Sequence, residues 1–503
     1  MCCHCMNRRE FMELAMVASA GVAVGLGAGA AVAAGEDITW DPSRPLYTVS
    51  RTLRVLPVLM YRVPQKREMA SYKSWGGVQS DAAAAEESDR ISEELRGLAA
   101  SIGFPMEVLP VMRVRNPEEA KNIDHSKADL TIVYPATGSG DTLRACIPPR
   151  GAIIFARHKS GPVYYWYEAL STRYLARDGE SPDTDRRVSV RDVVIDSVNE
   201  LRWRLRAWNA VNNLVGCRVA TLGGFQGKYA PDAPQVAREK WNMEIINLDY
   251  AEFEKRLKAA FADTALMARA EQWADLFLAL PETRLETERS YVVNAFVLYV
   301  LFKQFMREAD ASVFSIMDCM SAIMPMSRTT ACLTLGLLND EGLIAFCESD
   351  FVVIPAGILL RHLAGVPVFM HNSTFPHDEG MVTCAHCACP RRLDGQTYAP
   401  ARVLTHYESD FGAAPKVSMP PGQVVTFINP EYATGRWLGM RGVVKDNPFY
   451  EICRSQQDVQ ILGPWERLLN EVRDSHWMMA YGDHLQAAGY AASKIGVRWD
   501  PVA

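Results

Sequence analysis

Short apolar runs alternate with amphipathic stretches over the first two thirds of this 503-residue chain. In residues 81–101, Ile91, Leu95 and Leu98 recur at helical spacing, which predicts a helix with one buried face. Helices that alternate with apolar runs favour a mostly parallel, doubly wound sheet. The strands of this first unit are predicted at residues 53–60, 106–114, 130–134 and 153–156.

Two local features refine this first unit. Pro57 lies inside the first apolar run, which predicts an edge strand or an irregular one because proline cannot donate a ladder hydrogen bond. Residues 192–214 predict a helix that closes the unit.

A second α/β unit begins at residue 217. The strand predicted at residues 217–222 runs into the glycine-rich segment 223–227, whose spacing does not match a dinucleotide-binding fingerprint. We therefore interpret this segment as a turn in which glycines permit a close backbone approach. Long helices over residues 252–306 and a strand at residues 313–317 follow.

The pattern changes again in the last third of the chain. From residue 402 onward, short alternating segments are separated by Pro, Gly and Asn, which is typical of antiparallel β structure. The sequence thus predicts two doubly wound α/β domains followed by a β-rich, barrel-like C-terminal domain with terminal helices. The predicted boundaries are a signal at residues 1–34 and domains at residues 50–215, 216–365 and 366–503.

The N-terminus is typical of a targeting segment. Arg8 and Arg9 precede residues 14–34, which are uncharged and mostly Ala, Val and Gly. This arrangement resembles a twin-arginine export signal and predicts a periplasmic protein with no stable membrane insertion once the signal is removed. An uncleaved N-terminal helix that anchors the protein in a membrane is the alternative.

Composition excludes some partners. The net charge of -6 provides no overall field for nucleic acid or an anionic membrane, so neither is expected as a partner. The chain has 12 cysteines, of which Cys2, Cys3 and Cys5 lie in the signal. The odd number that remains in so long a chain does not indicate a disulfide framework.

The candidate chemistry lies near predicted strand ends after residue 340. Glu348 follows an apolar strand, His386 ends a third apolar segment, and His476 stands at the start of another strand. A further predicted strand, between Glu348 and His386 in the sequence, ends on His371-Asn372. Strand ends in α/β proteins open into ligand-binding crevices, and these N and O donors could converge on one divalent metal.

These motifs resemble the L-fucose isomerase and L-arabinose isomerase superfamily. The resemblance covers the segment from Cys347-Glu348-Ser349-Asp350 to His386, the His-Cys-Ala-Cys-Pro run that begins at His386, and the segment from His476 to Asp483. It implies a metal site at Glu348, His386 and His476, a small-molecule sugar as substrate, and a homo-oligomer. The sequence departs from the family pattern at His371-Asn372, where members carry a second carboxylate.

The implied activity is the interconversion of an aldose and a ketose through an enediolate. A divalent metal, best Mn²⁺ with Co²⁺ or Zn²⁺ as alternatives, would polarise the carbonyl. Glu348 would be the base, His371 would replace the missing carboxylate as its acid–base partner by titrating near neutrality, and Asn372 would be a further metal contact.

Three alternatives stay open. The fold could serve a non-catalytic sugar-binding or assembly protein, or a different metal-assisted reaction of a modified sugar, such as epimerisation or elimination. Cys384, Cys387 and Cys389 could instead form a soft zinc or iron–sulfur site, although such sites usually need four spaced ligands.

Overall fold

We describe the chain from a computed structural model that covers residues 38–502, except 169, 172, 178–179, 181–185, 432–434 and 472–474. The predicted export signal lies outside the described residues. Within them, no helix is both long enough and apolar enough to cross a membrane.

The first α/β unit is a parallel sheet with the strand order β2-β1-β4-β5-β6, in which β3 also pairs with β1. Its strands are β1 (Leu53–Met60), β2 (Met106–Val108), β3 (Met112–Val114), β4 (Leu130–Pro135), β5 (Ile153–Ala156) and β6 (Val193–Ile195). Its helices are α1 (Asp81–Ser101), α2 (Pro117–Lys121), α3 (Gly140–Cys146) and α4 (Val198–Leu214).

Two expectations for this unit need correction. The edge-strand alternative for Pro57 is wrong, because β1 pairs with β4 on one side and with β2 and β3 on the other. The other alternative, an irregular strand, is found, since β1 changes its partner around Pro57. The proline is tolerated because pairing with β2 ends at Val55 and pairing with β3 begins at Val58. The helix predicted from residue 192 begins only at Val198, since the preceding apolar residues form the edge strand β6.

The second α/β unit contains a parallel sheet of order β11-β10-β7-β8. Its strands are β7 (Arg218–Leu222), β8 (Glu244–Leu248), β10 (Val313–Ile316) and β11 (Ile344–Cys347), while β9 (Thr283–Leu285) joins another sheet. Its helices are α5 (Ala233–Trp241), α6 (Tyr250–Ala262), α7 (Thr264–Leu278), α8 (Arg289–Glu308), α9 (Met324–Ser327), α10 (Cys332–Asp340) and α11 (Ile354–Ala364).

The C-terminal part is a closed antiparallel barrel. Strands follow one another in the order β16-β19-β12-β13-β18-β17, and pairing of β16 with β17 closes the ring. The strands are β12 (Phe369–Ser373), β13 (Met381–His386), β14 (Ala401–Leu404), β15 (Ala414–Val417), β16 (Val424–Glu431), β17 (Arg436–Asp446), β18 (Ser455–Ile461), β19 (His476–Tyr481) and β20 (Arg498–Pro501). The helices are α12 (Leu468–Glu471) and α13 (Leu485–Lys494).

The remaining strands complete the architecture. β20 pairs with the first residues of β17, which β18 does not reach, and β14 joins β15 and β9 in a small separate sheet. Short 3-10 turns occur at Lys73–Trp75, His125–Lys127, Tyr165–Glu168, Val190–Asp192 and Trp465–Arg467, and a π turn at Cys319–Ile323. The predicted class, α/β units followed by a barrel-like domain, is confirmed.

Alternation along the barrel strands divides their side chains between two apolar clusters. Phe369, Phe427 and Trp477 belong to a cluster with members from all six barrel strands, which is the barrel interior. Met370 and Met478, their neighbours in sequence, belong instead to the large core of the α/β units. One face of β12 and β19 therefore packs against the second α/β unit, which is the side from which Glu348 approaches.

Candidate metal centre

Glu348, His386 and His476 form one buried or half-buried cluster. Each offers a ligand atom, and the three atoms lie within 4.8 Å of one another. The Nε2 atoms of His386 and His476 lie 3.7 Å and 3.5 Å from Oε1 of Glu348. In the described residues this is the one group of His, Cys, Asp and Glu side chains with such spacing. The structure thus brings together three of the predicted ligands.

The backbone at Glu348 has a left-handed conformation, which residues other than glycine seldom adopt. Glu348 follows β11 with φ of 61°, and Ser349 has φ of 44°. Three hydrogen bonds secure these two residues: Gln226 Nε2 donates to the Glu348 carbonyl, Gln226 N to the Ser349 carbonyl, and Ser349 N to Ser315 Oγ. Two left-handed residues in succession at a strand end turn the Glu348 side chain toward the barrel, and such strain is concentrated at functional sites.

His476 is oriented by a carboxylate that the sequence did not single out as a ligand partner. Its Nδ1 lies 2.7 Å from Oδ2 of Asp350, which is buried and also accepts backbone N–H bonds from Lys228 and Val352. A carboxylate hydrogen-bonded to Nδ1 favours the tautomer with the proton on that nitrogen, in which Nε2 presents a lone pair. That Nε2 is buried and has no hydrogen-bond partner among the residues that the structure describes. A buried lone pair beside a carboxylate oxygen fits a metal cation.

His386 is less constrained than His476. It ends β13, and its Nδ1 accepts a hydrogen bond of 3.3 Å from the backbone N–H of Ala388. This bond favours the tautomer with the proton on Nε2. Coordination through Nε2 therefore moves the proton to Nδ1 and breaks the bond to Ala388, whereas His476 already has the required tautomer.

The pKa values of the cluster reflect its mutual contacts. Burial alone would raise the pKa of Glu348, but the adjacent imidazoles of His386 and His476 outweigh it and hold the pKa well below its usual range. Burial would lower the pKa of His476, yet the hydrogen bond to Asp350 and the nearby Glu348 carboxylate raise it. The low pKa predicted for Glu348 is thus found, and this residue is ionised at neutral pH.

His371 and Asn372 lie on opposite faces of β12. Asn372 is directly opposite His476 on β19, so it shares a face with that ligand, and its Nδ2 donates to the Ser475 carbonyl at 3.5 Å. His371 is opposite Trp477, and its ring packs against Phe427 and Trp477. Asn372 therefore lies beside His476, whereas His371 is not among the three members of the cluster. The metal contact of Asn372 stays a prediction.

The expectation that His371 titrates near neutrality is wrong. The ring is fully buried, Nδ1 is 3.0 Å from Ser373 Oγ, and Nε2 has no partner within the described part of the chain. Because burial disfavours the charged ring and no carboxylate compensates, the pKa of His371 falls to about 3. A neutral ring at working pH is a poor replacement for a catalytic carboxylate.

The thiols around His386 do not form a soft-metal site in the part of the chain that the structure describes. Cys384 and Cys389 belong to the barrel interior, while Cys387 packs with Cys332 and Cys453. The three cysteines that are close in sequence thus diverge into two clusters. Among the described residues, none of them belongs to a group of three or more potential ligands at metal-binding spacing.

Lys228 was also missed by the sequence analysis. It lies in the turn after β7, where Gly227 is required because a β-carbon there would meet the Ala230 carbonyl oxygen at 2.0 Å. The Lys228 backbone N–H binds Asp350, and Lys228 Nζ lies 3.2 Å from Oε2 of Glu348. The glycines after β7 were the one sequence signal for this turn. They indicated that its backbone closely approaches another part of the protein, but they did not indicate which part.

The orientation of His476 yields a prediction for metal affinity. Asp350→Asn keeps the volume of the side chain but removes the charge that fixes the proton on Nδ1, so the dissociation constant for Mn²⁺ should rise by about 10–100-fold. Calorimetric titration of the metal-free protein measures this. Asp378→Asn is the control, because Asp378 pairs with His377 at an exposed position and should leave the affinity unchanged. Equal affinities for the Asp350 variant and the unmodified protein would contradict the assigned role.

No protein-family model matches the chain, and a search of curated proteins returns no match. The class is therefore defined by the fold and the site alone. It is an α/β protein with a closed C-terminal barrel, in which Glu348 after a parallel strand faces His386 and His476 at two ends of barrel strands.

Proposed function

We propose that this protein is a metal-dependent aldose–ketose isomerase, as the resemblance implies. The observation that carries the proposal is the pairing of Asp350 with His476, which leaves an unpartnered Nε2 next to Glu348 and His386. A buried His–carboxylate pair aimed at a second carboxylate is typical of catalytic metal centres. The layout of two α/β units and a barrel agrees with the same class.

A divalent cation in this centre would act as a Lewis acid on the carbonyl of an open-chain sugar. Glu348 is the one carboxylate among the three ligands, and its side chain is 35% exposed while both histidines are buried. A substrate thus reaches Glu348 first. Glu348 would remove the proton from the carbon next to the carbonyl and return it to the carbonyl carbon, while the hydroxyl proton passes from the one sugar oxygen to the other, so that the new carbonyl and the new hydroxyl are both neutral. Asp350 keeps His476 in the required tautomer throughout.

One carboxylate and two imidazoles suit Mn²⁺, Co²⁺ or Zn²⁺ better than Ca²⁺, which prefers oxygen ligands. We propose Mn²⁺ as the resident metal. Asn372 could add a carbonyl oxygen from the same face of β12. Export through the twin-arginine route and assembly into a homo-oligomer remain predictions of the sequence.

The test combines metal content with product analysis. Metal-free protein is loaded separately with Mn²⁺, Co²⁺ and Zn²⁺, the bound metal is measured by elemental analysis, and each form is incubated with a panel of aldoses and ketoses. We expect one metal per chain and formation of the ketose or aldose partner. Epimerised or dehydrated products would assign a different reaction, sugar binding without product would favour a binding protein, and no bound metal would refute the proposal.

Metal affinity should depend steeply on pH. The metal competes with protons for His476, whose pKa is raised above its ordinary value. As the pH falls through that pKa, the ring is protonated and the cation is released, so loss of affinity should begin at a higher pH than for an ordinary histidine. Mn²⁺ titrations between about pH 5 and 8 measure this. An affinity that stays constant over this range would contradict ligation by His476.

A further inference from the structure

Lys228 and Glu348 form the solvent-facing wall of the metal centre. The side chains of Lys228 and Glu348 are 29% and 35% exposed, whereas those of His386 and His476 are 7% and 1% exposed. Oε1 of Glu348 faces the two imidazoles, and Oε2 faces the ammonium group. A molecule that reaches a cation in this centre therefore passes along the side where Lys228 lies.

With a divalent cation bound, the charges of the described residues at this wall would be unbalanced toward positive. A divalent cation with a single carboxylate ligand keeps a surplus positive charge, and Lys228 adds another. Asn372, on the same face as His476, is uncharged. Asp350 is buried behind His476 and its oxygens are already engaged with that ring and two backbone N–H groups. In the described part of the chain, Lys228 forms an ion pair only with Glu348.

We propose that Lys228 makes this centre selective for open-chain sugars that carry a carboxylate, that is, for sugar acids. This inference rests on the proposed function. A bound carboxylate supplies the missing negative charge, and an ammonium group with spare donors forms a charge-assisted hydrogen bond with it. A neutral sugar can accept the same hydrogen bond but leaves the surplus charge uncompensated.

A carboxylate fits better than a phosphate. Phosphate sites usually gather several backbone N–H groups at a helix N-terminus or a forked guanidinium. Here the turn offers one ammonium group, and the backbone N–H of Lys228 is already used by Asp350. The single positive charge of Lys228 suits the single negative charge of a carboxylate.

The test compares two ligands that cannot be isomerised and differ in charge, gluconate and glucitol. Their binding to the Mn²⁺-loaded protein is measured by calorimetry with no free Mn²⁺ in solution. We expect gluconate to bind at least about tenfold more tightly than glucitol, the effect of one charge-assisted hydrogen bond. In Lys228→Gln the preference should fall to within about threefold, because the variant keeps a donor and loses the charge.

Two further variants separate charge from structure. Lys228→Arg should retain the preference, and so should Lys255→Gln, which removes an exposed lysine paired with Glu252. Lys228→Gln should bind Mn²⁺ at least as tightly as the unmodified protein, because a positive neighbour is gone. If Lys228→Gln loses its metal, Lys228 is a structural residue and the proposal is overturned.

The outcomes distinguish this inference from the proposed function. A metal-loaded protein with equal affinity for gluconate and glucitol, or an unchanged preference in Lys228→Gln, overturns the role of Lys228 and leaves the isomerase proposal standing. A protein that binds no metal overturns both. Turnover of glucuronate in preference to glucose by the unmodified enzyme would support both together, whereas a preference for glucose 6-phosphate would assign the positive wall to phosphate instead.

Discussion

Glu348→Gln should lower the turnover of the metal-loaded enzyme by about 10²–10⁴-fold, the usual contribution of a general base. The amide keeps the shape of the side chain and one ligand oxygen, so the variant should still bind metal at saturating Mn²⁺. What it loses is the capacity to accept a proton from carbon. Steady-state rates with the best substrate from the sugar panel, compared at full metal occupancy, measure the effect.

The matched control is His371→Asn. The ring of His371 is buried and neutral near pH 7, so its replacement should change turnover far less than the change at Glu348 does. A loss in His371→Asn as large as in Glu348→Gln would restore His371 as the acid–base partner. An unchanged rate in Glu348→Gln would refute the mechanism.

The three ligands could be found from the sequence because each lies at the end of an apolar strand. The hydrophobic run before Glu348 and those around His386 and His476 form strands whose bounds stop at or next to these residues. Strand ends collect at common edges of sheets and barrels, so polar residues there tend to converge. A metal site formed by these three residues could therefore be predicted without knowing which strands pair.

The partners of these ligands could not be predicted in the same way. Asp350 lies 126 positions from His476, and Lys228 lies 120 positions from Glu348. Such contacts depend on how the turn after β7 packs against the residues after β11, which no local pattern encodes. Asp350 and Lys228 have no special spacing of their own, so in sequence they resemble ordinary surface charges.

The choice between His371 and Asn372 shows a related limit. Alternation along a strand establishes that the two side chains face opposite ways, but it does not say which one faces the metal. The pairing of β12 with β19 decides this, because it places Asn372 opposite His476 and His371 opposite Trp477. From the sequence, histidine was the more plausible acid–base group because an ordinary imidazole titrates near neutrality. Burial in the barrel lowers the pKa of His371 far below neutrality, so that argument fails.

The support of Glu348 extends back along β11 to a buried ion pair. Lys303 of α8 and Glu341, which follows α10, are 1% and 5% exposed, and their charged groups lie 2.8 Å apart. Tyr299 completes the group: its hydroxyl donates to Glu341 at 2.6 Å and accepts from Lys303 at 2.7 Å. The Glu341 carbonyl also accepts the backbone N–H of Tyr47. These bonds attach the segment before β11 to α8, and β11 ends at Cys347, directly before Glu348.

Lys303→Met should lower the free energy of unfolding by about 3–5 kcal/mol, because it leaves the Glu341 carboxylate buried without its cation. Burial already raises the pKa of Glu341 even with Lys303 present. Urea denaturation monitored by circular dichroism measures the loss. Lys258→Met is the matched control, since Lys258 pairs with Glu254 at 2.7 Å but is 74% exposed, and exposed pairs contribute little.

The double variant Lys303→Met, Glu341→Leu distinguishes a buried uncompensated charge from a simple loss of packing. Removal of both charges should recover most of the stability lost in Lys303→Met, because apolar side chains of similar volume often replace a buried ion pair at little cost. If the double variant is as unstable as the single one, the packing of α8 against the segment before β11 requires the pair itself. A Lys303→Met protein as stable as the control would show that Glu341 is protonated in the folded chain, and that the ion pair does not hold β11 in place.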